Sequence, residues 1–293
     1  MPYNFTHALT GLCAVQQSNS EVHNLVDRHR DVFLIGTMGP DPYFGDAMPK
    51  PLFRPCRTDF AEKLHKSDMR EVFSAMLPLA EKNDVLAAYM LGFLCHFLLD
   101  TTAHPYIEAR FAGKPHTPSE IQMDLMMTDR AGRKDVPLSP RHFYRTKNLA
   151  ELDSFHTGLV HTLLKVELSS ATGVFTRSFH KWILINTLSY DPKNHKYRLF
   201  GALERLFQRP GAITGYLVSH HADPFDRLNL AHAAWRAPWD ESSERNESFC
   251  DLFDQAVQEA PQLMNIALDA IRTGRPEQAL AAIGPRRMDA RPL

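Results

Sequence analysis

Four cysteines in 293 residues, Cys13, Cys56, Cys95 and Cys250, are too few and too scattered to staple a fold. None has the CxxC spacing of a thiolate metal knot, and Cys95 lies inside an apolar run, so free thiols in a reducing compartment are the natural inference. An excess of either charge is also missing: 33 Lys plus Arg face 34 Asp plus Glu, for a formal net charge of −1. That balance excludes long-range attraction to nucleic acid or to an anionic membrane, so any such partner must be recognised locally. The opening MPYNFTHALTGL has no basic start, continuous apolar core or small-residue cleavage site, and no segment reads as a transmembrane span. The expected location is the cytoplasm, or outside the cell by a route without a recognisable signal peptide. Internal repeats, low-complexity linkers and shifts of composition are absent too, which argues against a second domain.

Period-two alternation bounded by turn residues is scarce, whereas apolar residues at three- and four-residue spacing recur along the chain. The expected fold is therefore all-α, a single-domain multi-helix bundle over residues 1–284 with a frayed tail at 285–293. Helices are predicted near 6–17, 20–31, 57–65, 67–82, 83–102, 117–130, 148–168, 172–189, 197–208, 212–220 and 247–272. Two stretches, 37–57 and 220–247, read as irregular. The first is dense in proline and aromatics, and a loop of that length in a compact domain is usually functional or mobile.

The run VLAAYMLGFL from Val85 leads into CHFLLDTTAHPYIE, so His96, Asp100 and His104 recur every four residues in an apolar setting. Buried ionisable groups are costly unless paired or metal-bound. On a helix, positions four apart share a face, so His96 and Asp100 could reach one metal ion together; a plain His–Asp hydrogen bond is the competing reading. Pro105 should end the helix and push His104 just past it, free to serve a different ion. A second pair follows in HTPSEIQMD, His116 and Glu120. Its rival reading is a capping box, with Thr117 at the N-cap, Pro118 at the first helical position and Glu120 at the third. Upstream candidates are His7 in FTHALTG, Asp41 in GTMGPDPYF and His65 in EKLHKSD. His156 and His161, five apart on a helix, read as surface or packing residues.

This ordered set, His7, GPDPYF with Asp41, LHKSD with His65, HFLLD with His96 and Asp100, AHPYIE with His104, and HTPSE with His116 and Glu120, resembles the zinc-dependent phospholipase C family. That family is related in fold to the P1 nucleases. The resemblance covers about residues 3–272, including the later Trp-x-x-Pro turn and the Glu-Ser-Phe that opens the last long helix. It implies hydrolysis of a phosphate ester at a site of two or three Zn2+ ions. Asp41, His65, His96 and Asp100 would hold one ion, His104, His116 and Glu120 a second, and Asp100 with His7 a third. Imidazole and carboxylate ligands with open positions suit catalytic zinc, and manganese or iron would tolerate the same set.

The implied substrate is a phospholipid or a smaller phosphodiester, with Asp41 as ligand and general base unless metal-held hydroxide attacks directly. Tyr43, Phe44 and Phe53 would shape the substrate pocket, or pack back onto the core. Secreted members carry an N-terminal tryptophan at the third zinc, which this chain lacks; the amine of Pro2, exposed by removal of Met1, is the candidate substitute. Two alternatives stay open: a P1-like nuclease or nucleotide phosphatase, and a non-catalytic protein stabilised by a closed zinc cluster. Single-stranded nucleic acid calls for a basic groove, which the neutral charge balance supports weakly.

Overall fold

A computed structural model describes residues 4–48, 54–112, 116–132, 145, 147–221 and 225–293. Among them it contains thirteen α-helices: α1 Asn4–Gln17, α2 Ser20–Arg28, α3 Arg30–Gly36, α4 Thr58–Lys66, α5 Met69–Ala80, α6 Asp84–Arg110, α7 His116–Ala131, α8 Leu149–Leu164, α9 Leu168–Ala171, α10 Val174–Ser189, α11 His195–Leu206, α12 Phe249–Thr273 and α13 Glu277–Ile283. Two 3-10 helices, Asp41–Ala47 and Thr214–Tyr216, and one antiparallel hairpin of β1 Trp235–Ala237 with β2 Asp240–Arg245 complete the set. The protein is all-α apart from that hairpin, which lies in the stretch expected to be irregular. The first such stretch is also more ordered than expected, since its described part contains the Asp41–Ala47 helix, packed against α10 and α4.

Helix α6 is the axis of the bundle. It is apolar on every side because α1, α3, α5 and α12 all pack around it, as a helix that is hydrophobic all round requires. By length and composition it could cross a membrane, yet 83% of its most apolar window is buried inside the protein, as in a core helix, so it is no clear transmembrane segment. The approach of α3 to α6 depends on two glycines. A Cβ on Gly36 would meet the Tyr89 carbonyl oxygen at 2.1 Å, and one on Gly92 the Phe33 carbonyl oxygen at 2.1 Å.

Pro105 does not end α6; the helix runs on to Arg110. An internal proline costs about 3 kcal/mol through its lost hydrogen bond and its clash with the preceding turn. Burial of the following turn offsets this: Tyr106 packs edge-on to Trp235 at 5.5 Å, lies 6.0 Å from Phe249 and donates to the Arg227 carbonyl. His104 therefore stays on the helix, in register with His96 and Asp100.

The segment after Gly284 is docked rather than frayed. Met288 is fully buried, the Met69 amide donates to the Arg286 carbonyl at 2.8 Å, and the Thr101 hydroxyl donates to the Arg287 carbonyl at 2.9 Å. The Asp289 amide reaches the carbonyl of His65 itself.

Candidate metal centre

Each candidate ligand is placed by local structure. At the start of α1 the unpaired amides of the first turn are met from another helix: the Asp124 carboxylate of α7 accepts from the Phe5 and Thr6 amides and from the Thr6 hydroxyl. Burial pushes the Asp124 carboxyl up to about 7 even against these donors. The arrangement fixes His7, one residue further on. The glycine-tight crossing of α3 on α6 carries the Thr37 carbonyl to His96, where it accepts from Nδ1 at 3.1 Å. Gly39 has φ +52°, and a Cβ there would lie 2.3 Å from the His96 ring, so both backbone and space demand glycine. Asp41 then opens the 3-10 helix, and His65 sits in the last turn of α4 with Nδ1 2.7 Å from the Ala61 carbonyl.

These residues meet around Asp100. Its carboxylate lies 3.3 Å from His7 Nε2, 3.4 Å from His65 Nε2, 3.2 Å from His96 Nε2 and 3.9 Å from His104 Nδ1. His65 Nε2 is also 3.4 Å from an Asp41 oxygen, and the rings of His7 and His96 stack at 4.1 Å. None of the cluster is more than 8% exposed.

Buried polar atoms normally find hydrogen-bond partners. Among the described residues thirteen buried side-chain nitrogen and oxygen atoms lack one, and seven are here: both ring nitrogens of His7, one oxygen of Asp41, Nε2 of His65 and of His96, and both oxygens of Asp100. For His65 and His96 the Nδ1 nitrogen donates to a carbonyl, which leaves Nε2 to face Asp100. Lone pairs of nitrogen and carboxylate oxygen facing each other at this distance repel unless a proton or a cation lies between them. A cation is the common partner such a set lacks, and imidazole with carboxylate is a zinc donor set.

The electrostatics agree. Burial works against charge on His65, but Asp100 and Asp41 more than compensate and raise it to about 10. Burial likewise opposes the Asp100 charge, but the histidines around it, His96 first, overcome it and hold the carboxyl well below its usual range. Burial lowers His7, and lowers His104 to about 3, which keeps both rings neutral and able to donate lone pairs. Proton and metal ion compete for the same Nε2 of His65.

Among the described residues, two groups of side chains could share an ion: His7, Asp41 and His96, and His65, His96 and Asp100, with one donor atom of each residue within 4.8 Å of the others in its group. The division differs from the expected one, since His7 joins Asp41 and His96 as well as Asp100. His104 lies at the edge of the cluster, its Nδ1 also 3.3 Å from the Asp100 carbonyl. His116 and Glu120 lie on α7, where they line a cavity of about 920 Å3 together with Asp41 and Phe44. Thr117 and Pro118 are inside the helix rather than at its cap, so the capping-box reading of Glu120 does not hold; its side chain is buried, which raises its carboxyl.

Phe44 reaches the cavity as expected, but Tyr43 does not. It is 1% exposed and points into the core, with its hydroxyl 3.0 Å from His156 Nδ1. Phe53 and the Met1–Pro2 terminus fall outside the described residues. Sequence reasoning passed over Thr37, Gly39 and Asp124, which position candidate ligands without being candidates themselves. Only Gly39, between Met38 and Pro40, carried a visible signal, because a glycine before a proline-rich turn marks a special backbone position.

Asp41, His116 and Glu120 lie close together in the cavity wall, which Asn4, Asn186, Ser189 and Lys196 share with the apolar Ile121, Trp182, Ile185, Leu188 and Ile213. In comparisons with known proteins, a family model described as zinc dependent phospholipase C matches residues 2–169. Neither the curated proteins nor the solved structures gave a significant match.

Proposed function

The chain belongs to the zinc-dependent phospholipase C family, whose members are metal-dependent phospholipid hydrolases, and from that premise we propose that it cleaves a phospholipid or a related small phosphodiester at the Asp100 cluster. The observation that carries the reading is the set of unpartnered buried donor atoms at the head of an apolar cavity. His7, Asp41, His65, His96 and Asp100 would hold zinc, with His104, His116 and Glu120 as ligands for a further ion on the cavity side. When bound, zinc supplies Lewis acidity, neutralising phosphate charge and bringing the pKa of a water toward neutrality.

The protein's own groups supply the rest. Asp41 belongs both to the buried cluster and to the cavity wall, so its carboxylate is the group placed to take a proton from the attacking water. That water's oxygen bonds to phosphorus, the bond to the glycerol oxygen breaks, and the leaving alcohol takes up a proton. The apolar wall from Ile121 to Ile213 accepts the diacylglycerol portion and excludes bulk water from the phosphate. An open cavity against the cluster favours catalysis over a closed structural zinc site.

Metal analysis of the purified protein, followed by a panel of phosphatidylcholine, sphingomyelin, single-stranded DNA and a chromogenic phosphodiester, tests the proposal. The expected result is bound zinc and release of diacylglycerol with a phosphorylated headgroup. Preferential cleavage of DNA would move the chain to the nuclease side of the fold, and zinc binding with no hydrolysis of any substrate would leave a structural role.

A further inference from the structure

Helix α11 has the reverse of an ordinary surface helix's pattern. Of its residues only Glu204 is buried, while Leu199 is 61%, Leu203 41% and Leu206 73% exposed, with Phe207 just beyond at 69%. The three leucines stand at i, i+4 and i+7 and so form one stripe, and that stripe faces away from the protein. The helix is tied down by polar bonds and by its other face, where Tyr197 stacks on His221 at 4.4 Å and Phe200 meets the cavity. Glu204 accepts from the Gly211, Ile213 and Thr214 amides and from the Thr214 hydroxyl, and Asp191 accepts from the His195 and Tyr197 amides.

The exposed apolar surface extends beyond this helix. Fourteen large apolar side chains are exposed among the described residues, and eight of them lie between Leu184 and Tyr216. Leu188, Ile213 and Tyr216 are at once part of that surface and part of the cavity wall, and Met48, 57% exposed, lines the same cavity. A contiguous apolar patch of this kind marks an interaction site.

Charge selects the partner. Lys193, Arg198, Arg205 and Arg209 fall within residues 193–209, where Lys196 is turned to the cavity and held by the Leu188 and Tyr190 carbonyls and the one acid, Glu204, is turned inward onto backbone amides. Asp191, on the preceding turn, is likewise buried and bound to amides. In a chain whose net charge is −1, this face is a local basic strip beside an apolar stripe. A second copy meeting it across a two-fold axis would set the cations against themselves. We propose that α11 lies flat on an anionic lipid surface, with Leu199, Leu203, Leu206 and Phe207 inserted at the acyl boundary and the cations among the headgroups, so that the cavity mouth opens onto the bilayer. The purpose of this docking rests on the phospholipid reading above; its measurement does not.

The test is flotation of the full-length protein with vesicles of phosphatidylcholine plus phosphatidylserine, and with vesicles of phosphatidylcholine alone. Wild type should partition onto the mixed vesicles. The triple variant Leu203→Gln, Leu206→Gln, Phe207→Gln should lose at least about thirtyfold in partitioning. The pair Arg198→Glu, Arg205→Glu should lose at least about tenfold on the anionic vesicles and little on the neutral ones. Both variants should keep wild-type zinc content and wild-type hydrolysis of a chromogenic, water-soluble phosphodiester. Unchanged partitioning of the triple variant, or wild type that ignores anionic vesicles, overturns the inference even if phospholipid is hydrolysed. A wild-type dimer that the triple variant makes monomeric, without vesicle binding, assigns the face to self-association and overturns it too. Vesicle binding with no lipid cleavage keeps the inference and removes the enzymatic reading.

Discussion

Two buried polar clusters lie two residues apart on the same 3-10 helix and have opposite characters. Asp41 belongs to the group around Asp100, where donor atoms are buried and unpartnered. Tyr43 belongs to the other, where His156 is fully buried with Nδ1 3.0 Å from the Tyr43 hydroxyl, Nε2 2.6 Å from the Tyr89 hydroxyl, and its ring stacked on Phe175 at 3.8 Å. A neutral imidazole has one donor and one acceptor, and two phenols complete both. That network is closed: its chemistry is spent on holding the helices together. The Asp100 cluster leaves its buried donor atoms without partners, and that difference separates a structural histidine from a candidate ligand better than burial or spacing does. The comparison can be broken by substitutions on each side.

The largest effect is expected at the centre of the open cluster. Asp100→Asn keeps the shape but removes the charge that faces His7, His65, His96 and His104. Zinc content should fall, and hydrolysis should drop by at least about a thousandfold, about 4 kcal/mol in transition-state terms. In metal-free protein the same change should also cost stability at neutral pH, because His65, raised against its burial to about 10 by Asp100 and Asp41, loses one of its two carboxylate partners. Metal analysis with denaturant unfolding of apo-protein checks both halves. Retained zinc would mean that the cluster is a closed ion-pair network.

How much of this was legible in the sequence depended on what kind of interaction placed each residue. Ligand spacing along α6 was readable, because His96 and Asp100 are related by helix geometry alone. The position of His104 was not, since the effect of Pro105 depends on whether the next turn is buried, and Tyr106 packs against residues more than a hundred positions away. Tyr43 and Phe44 are adjacent aromatics of one loop in the sequence, yet one enters the core and the other the cavity. Their fates are set by the turn of the 3-10 helix and by a histidine partner from α8. The Asp124 cap on α1 and the docking of the last nine residues through backbone carbonyls were equally hidden, for the same reason. Likewise the exposed stripe of α11 has the pattern of a core helix; only the fold shows that it faces outward.

On the closed side of the comparison, His156→Leu should cost about 3 kcal/mol, the sum of two phenol hydroxyls left buried without their partner. Zinc content and turnover should stay within about twofold of wild type. Burial pushes His156 down to about 3, so the native ring stays neutral while an unfolded one titrates near about 6.5. Between those values the unfolded state binds the extra proton, and wild-type stability therefore falls as pH drops through this window. The variant lacks that contribution, so the gap between the two proteins should narrow in acid. Denaturant midpoints measured from neutral to acid pH would show it; a gap that widens in acid would mean the native ring is charged.

Asp46 is an intermediate case: a buried carboxylate on the same 3-10 helix, satisfied by cations rather than open. Arg54 and the Arg57 amide donate to it, and Arg177 and Lys181 lie within 3.4 and 3.8 Å. Burial opposes its charge, but the hydrogen bonds from Arg54 and Arg57 prevail and hold it at about 2. Asp46→Asn should cost about 2 kcal/mol at neutral pH. Because its native pKa is depressed, that contribution is complete above the unfolded value of about 4 and fades as pH falls toward the native value. The stability curves of variant and wild type should thus converge in acid. Parallel curves would show that Asp46 acts through packing alone.

The smallest effect is expected at the residue that links both sides. Tyr43→Phe deletes one hydroxyl from the closed network and leaves His156 with Tyr89 as its remaining phenol partner, a loss of about 1 kcal/mol. Asp41 stands two positions away, so a pocket role for Tyr43 would appear as a change in KM for the phosphodiester. With its hydroxyl turned into the core, Tyr43 should instead leave KM and kcat within about twofold, while Phe44→Ala on the cavity wall raises KM. If Tyr43→Phe raises KM as much as Phe44→Ala does, the two clusters are not separate, and the 3-10 helix carries strain from one into the other.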